Sequence, residues 1–110
     1  MLDLRLYMAQ RISAMVMIPL TVGHLAVIVY AIEGGLTTAE ILGRTQGSVF
    51  WFLFYGSFVL AVSVHAAIGV RVIAHEWLRM KGAWLSALTW TVCLVLLVMG
   101  ARAVIAVTWI

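Results

Sequence analysis

The sequence predicts an all-α membrane protein of three transmembrane helices, and three observations predict it. Of 110 residues, 65% are hydrophobic and 10% charged, against about 25% charged in an ordinary soluble domain. Such a chain has too little polar surface to enclose a core in water, so the bilayer is its natural solvent. Its uncharged residues fall into three runs, 12–32, 48–70 and 84–101, of 21, 23 and 18 residues, and about 20 helical residues cross a ~30 Å hydrocarbon layer. The runs do not alternate polar and apolar residues, and a lipid-exposed sheet satisfies its backbone only by closing into a barrel. The helices are expected at about 10–33, 48–77 and 84–109, in one transmembrane domain over 1–110.

The first run follows Arg5 and Arg11 and is too long for the apolar core of a signal peptide. It is read as a retained helix. Pro19 removes one backbone donor inside it and can kink it, and neighbouring helices can satisfy the freed carbonyl. The connection 33–47 carries Gly34, Gly35, Gly43 and Gly47, and its Thr38-Ala39-Glu40 segment is expected to cap a short surface helix. The second run ends in a connection, 71–83, that holds Arg71, Glu76, Arg79 and Lys81. The third run continues past Arg102 to the chain end.

The net charge of +3 comes from seven Lys and Arg against four Asp and Glu. These basic residues flank apolar runs, a pattern of membrane topology rather than of nucleic-acid binding. Arg5, Arg11, Arg71, Arg79 and Lys81 fall at one end of the helices, Arg44 and Arg102 at the other. Positive-inside bias puts the N-terminus in the cytoplasm. Trp77 and Trp84 then sit at the cytoplasmic interface, and Trp51 and Trp109 at the outer one, as an aromatic belt requires. Trp90 is deeper and is expected to pack between helices. Cys93, the single cysteine, is read as a small apolar packing residue.

Two histidines lie inside spans. His65 is six residues before Arg71, about 9 Å along a helix. An ionisable group at that depth marks a functional site by default, and a neutral imidazole offers iron a lone pair. Gly69, one turn on, leaves room for a flat macrocycle or another helix. A hydrogen bond from His65 to a neighbouring helix is the alternative. His24 is 13 residues beyond Arg11, roughly 20 Å, nearer the outer half, and so is not expected to share an iron with His65. It is either polar glue between helices or a ligand of a second haem. Gln10, Arg11 and Ser13 open the first span. Arg11 either snorkels to lipid phosphates or joins a cluster that orients a quinone carbonyl and stabilises its reduced anion. His75 and Glu76 read as a solvated pair at the interface.

Taken in order, these residues resemble the cytochrome b membrane-anchor subunit of succinate dehydrogenase, in the form that uses two small three-helix anchors, and the related fumarate reductases. Gln10-Arg11-Ile12-Ser13-Ala14 is similar to the family's His-Arg-apolar-Ser/Thr-Gly opening of helix one. His65-Ala-Ala-Ile-Gly69-Val-Arg71, with Glu76 eleven residues after the histidine, is similar to its His-x-x-x-Gly-x-Arg motif and following acid. Gln10 stands where histidine is usual, Ala14 where glycine is, and Tyr7 where a serine often precedes the arginine. The likeness runs from about Tyr7 to the C-terminus.

The resemblance implies that His65 is an axial ligand of haem b, and that Arg11 belongs to a ubiquinone (or menaquinone) site with Ser13 close by. Two-haem relatives carry a histidine on their first helix, which makes His24 a possible second ligand. The implied partners are a second three-helix anchor subunit, an iron–sulfur subunit and a flavoprotein, with membrane lipid around the helices. The chain would itself be non-catalytic: succinate oxidation, a step of the tricarboxylic acid cycle, would occur on another subunit. A bacterial inner-membrane, multi-pass location is expected, since no organelle presequence is seen. Two alternatives stand beside this reading: an anchor of a quinol:fumarate reductase, and a non-redox small transporter or structural anchor. Small multidrug transporters use four helices and a membrane-embedded glutamate, and no Asp or Glu lies inside a run here.

Overall fold

A computed structural model describes residues 3–109. Four helices follow one another: α1 (Leu4–Gly34), α2 (Thr38–Thr45), α3 (Val49–Leu78) and α4 (Ala83–Thr108). Three of them, α1, α3 and α4, are long and apolar enough to cross a membrane. Their 31, 30 and 26 residues make rods of about 39–46 Å, longer than the hydrocarbon layer, so their ends reach into the headgroup region.

Each boundary has a local cause. The α1 helix starts at Leu4, earlier than the expected residue 10, because Asp3 caps it: its carboxylate accepts the Leu6 N–H at 2.9 Å. Gln10, Arg11 and Ser13 therefore lie two turns inside a helix rather than at its start. Pro19 sits within α1 without ending it. Gly35 closes α1 at φ 119°, where its N–H bonds to the Ala31 carbonyl. The short helix after it forms as expected, but Thr37, not Thr38, is its cap. The Thr37 hydroxyl accepts the Glu40 N–H, and the Glu40 carboxylate accepts the Thr37 N–H, a reciprocal capping box. Ser48 caps α3. Its far end turns through Arg79 in the left-handed region, with Met80 N–H bonded to the Ala74 carbonyl.

The α3 helix is central. It packs against both α1 and α4, which make no comparable contact with each other. Its buried positions are mostly small: Ala61, Ser63, Ala67 and Ala74. Small side chains let helix backbones approach, which is what holds helices together where lipid cancels the hydrophobic drive. Gly100 does the same from α4: a Cβ there would lie 2.5 Å from Val59 Cγ1. Gly23 does it from α1, against the ring of Phe54. The α2 helix is stapled to the end of α4 by Thr45 Oγ1 donating to Val107 O and Gly47 N–H donating to Thr108 O, both at 2.6 Å.

Large apolar side chains cover the outside of α1 and α4, as lipid or a partner helix requires. Trp77 and Trp84 are exposed at one end, and Trp109 at the other. Trp90 is 65% exposed within this chain, so it does not pack inside its own bundle.

Candidate functional site

The site builds from one contact between α1 and α3. Ser13 is 7% exposed. Its hydroxyl donates to the Gln10 carbonyl, one turn back, at 3.0 Å, and its oxygen stands 3.4 Å from His65 Nδ1. A hydroxyl has one proton. With that proton on Gln10 O, the oxygen can accept from His65 Nδ1, and the neutral tautomer that does so would leave the Nε2 lone pair open. The 3.4 Å separation makes this a weak, orienting bond. His65 itself is half-buried. An imidazole held by Nδ1 and open at Nε2 fits an axial haem ligand, since metal-bound histidines are oriented in this way through their other nitrogen.

Gly69 lies one turn beyond His65, and its approach is to α1. A Cβ there would meet Gln10 Nε2 at 3.8 Å. Gln10 Oε1 is buried and has no hydrogen-bond partner among the described residues. Gln10 and Ser13 thus face α3. Arg11 does not: it is exposed, and its guanidinium lies over the Tyr7 ring at 5.8 Å. Residues two apart on a helix point about 200° from one another. Within this chain the Gln10, Arg11 and Ser13 cluster is therefore split between an inward pair and an outward cation.

His24 forms a separate centre. Its ring sits 5.2 Å from Phe58 and 6.1 Å from Tyr55, edge-on to the latter. It lines a cavity of about 320 Å³ between the helices, with Thr45, Tyr55, Phe58, Gly100 and Val104. Phe58 precedes His65 by seven residues on α3, about 10 Å of rise. The two histidines occupy different levels, as their sequence positions predict. Among the described residues no three His, Cys, Asp or Glu side chains gather as a metal site.

The basic end holds a feature that sequence reasoning missed. Arg71 is half-buried, and its Nη1 donates to Thr89 Oγ1 at 3.3 Å, while Thr89 donates to Leu85 O at 2.8 Å. His75 Nδ1 lies 2.9 Å from the Met80 carbonyl. A carbonyl only accepts, so Nδ1 is the donor. With Tyr7, Glu76 and Lys81, Arg71 and His75 line a cleft of about 480 Å³ between the starts of α1 and α4 and the end of α3. The spacing of Arg71, His75 and Glu76 on one helix was the available signal. The tight turn that carries Lys81 back over them was not readable.

The family model described as succinate dehydrogenase/fumarate reductase transmembrane subunit matches residues 2–101. Comparison with curated proteins and with solved structures gave no match.

Proposed function

This chain belongs to the succinate dehydrogenase/fumarate reductase transmembrane-subunit family, and from that premise we propose that it is the haem b- and quinone-binding anchor of a succinate:quinone oxidoreductase. Family membership implies a complex with other subunits of such an enzyme. It also sets aside the small-transporter alternative. In our reading those subunits are a second three-helix anchor, an iron–sulfur protein and a flavoprotein. The N-terminus and the α3–α4 turn, with five of the seven basic residues, face the cytoplasm of a bacterial inner membrane.

The observation that supports the reading is the Ser13–His65 contact on a half-buried face, which in its Nδ1–H form would leave His65 Nε2 open to iron. His65 would ligate the haem iron together with a residue of a partner helix. When bound, the haem supplies a one-electron store beside the quinone, with chemistry that is its own. Ser13 would help orient the imidazole. Arg11, exposed on α1, would meet a quinone arriving between this chain and its partners. Its charge would favour the reduced, anionic form.

The test is a reduced-minus-oxidised visible spectrum of the purified complex. A redox-sensitive b-type band that is lost in His65→Ala supports the reading, and a colourless wild-type complex sinks it. The direction of flow is read by comparing succinate-driven quinone reduction with quinol-driven fumarate reduction, and we expect the first to dominate.

A further inference from the structure

We propose that the cleft at the basic end binds the head group of an aminophospholipid, through Arg71 and Lys81 on its phosphate and through Glu76 and His75 on its ammonium. The proposal does not depend on the haem or the quinone. Three observations carry it.

The first is the cleft itself, about 480 Å³ and lined by Tyr7, Arg71, His75, Glu76 and Lys81. It is large enough for a phosphate and a short amine together. The second is its level in the membrane. It lies where α3 ends and α4 begins, between Trp77 and Trp84, which are 80% and 79% exposed. Exposed tryptophans at span ends sit at headgroup depth, so lipid phosphates are the anions present there at highest concentration.

The third is the pairing of chemistries. Arg71 is held by Thr89 through one N–H, which leaves other guanidinium donors for an anion, and Lys81 adds a second cation on the same wall. Opposite charge is also present. Glu76 lines the cleft, and so does His75, whose Nδ1 donates to the Met80 carbonyl and whose Nε2 is an acceptor when the ring is neutral. An inorganic phosphate would use the cations and be repelled by the carboxylate. A phosphate that carries a primary ammonium two carbons away uses both. A choline head group has the charge but no N–H to donate to His75 Nε2 or Glu76. A glycerol head group has no cation for Glu76.

The experiment uses the whole complex, purified in mild detergent and delipidated. Native mass spectrometry follows binding of added phosphatidylethanolamine, phosphatidylglycerol or phosphatidylcholine, with inorganic phosphate as a competitor. We expect phosphatidylethanolamine to bind the wild type most tightly. Lys81→Gln should weaken it at least about tenfold, the loss of one charge-assisted hydrogen bond. Glu76→Gln should narrow the preference for phosphatidylethanolamine over phosphatidylglycerol. Lys81 is exposed in the turn before α4, so its replacement leaves the packing intact. Arg71→Gln, which also releases Thr89, is the second arm.

Equal binding of the three lipids would overturn the proposal, as would unchanged affinity in both cation variants. Displacement of the lipid by inorganic phosphate at equal concentration would make this a free-phosphate site and overturn the lipid assignment.

Discussion

Ser13 and His65, 52 residues apart in the chain, meet across the α1–α3 interface with the serine oxygen 3.4 Å from the imidazole Nδ1. A third group, the Gln10 carbonyl, takes the serine's only proton, which favours the serine oxygen as acceptor from Nδ1. A ring held in this tautomer is prepared for a ligand at Nε2. His65→Ala should therefore abolish haem incorporation, since no other histidine of this chain lies at its level. Pyridine haemochromogen assay of the variant complex reads this directly, and normal haem content would rule out the assignment.

Ser13→Ala tests the orientation rather than the ligand. The variant should keep its haem but lose the acceptor that strengthens the imidazole as a donor. A weaker donor stabilises ferric iron less, so the midpoint potential should rise. A weak hydrogen bond, at the low end of about 0.5–1.5 kcal/mol, corresponds to roughly 20 mV for one electron. Potentiometric titration of the haem band measures the shift, and a fall in potential would contradict the bond's direction.

Arg11→Ala should lower quinone reduction while leaving succinate oxidation by an artificial dye largely intact. Loss of a charge-assisted hydrogen bond made in the transition state costs about 1.5–3 kcal/mol, hence roughly 10- to 150-fold in rate. Arg11 is exposed and touches only the Tyr7 ring among the contacts described, so its removal should not disturb the fold. Equal loss in both assays would instead assign Arg11 to assembly.

The spans were legible in the sequence because hydropathy over about 20 residues is a bulk property that no single contact can overrule. Their ends were less so. Asp3 extends α1 by two turns through one carboxylate–amide bond, and Thr37 rather than Thr38 completes the capping box, a choice between adjacent threonines that composition does not make. Depth in a span does not say which way a side chain points, and Trp90 faces out of its own bundle. His65 and Ser13 were each singled out, but for separate roles. Their contact depends on how α1 lies on α3, which the small residues Gly69 and Ala61 permit without specifying.

The α2 cap predicts a pH dependence. Its Glu40 carboxyl is held below the usual range, first by the Thr37 backbone N–H, then by the Thr37 hydroxyl, with a smaller contribution from Arg44. A group whose folded value is lowered contributes stability that is fully present above the ordinary carboxylate range and lost as pH falls through the folded value. Ile41 donates its N–H to Thr37 O in this first turn. Its hydrogen-exchange protection, corrected for the intrinsic rate at each pH, should fall on acidification in the wild type and stay flat in Glu40→Gln. A flat wild-type profile would remove the capping carboxylate from the account.

Gly100 predicts a packing cost. A Cβ at that position would lie 2.5 Å and 2.9 Å from the two Cγ atoms of Val59. Gly100→Ala should force α3 and α4 apart and destabilise the bundle by about 1–3 kcal/mol. Gly43→Ala is the control: nothing lies within 4 Å of its would-be Cβ, so it should be neutral or stabilising through helix propensity. Denaturation of the two variants in mixed micelles compares them, and equal stability would show that the interface relaxes around the methyl group.

His24 decides between one haem and two. Its ring packs on Phe58 and edge-on to Tyr55, and it borders the cavity that Gly100 and Val104 complete. That environment is aromatic and apolar, and a ligand for a second iron would need a partner helix to bring another donor to the same level. The aromatic contacts already account for a half-buried ring there, with the tight Gly23–Phe54 crossing one residue away. We therefore expect a single haem. His24→Leu, which keeps much of the volume, should cost less than about 1.5 kcal/mol of stability and leave haem per complex unchanged. Two haems in the wild type, falling to one in the variant, would make His24 a ligand and reverse this conclusion.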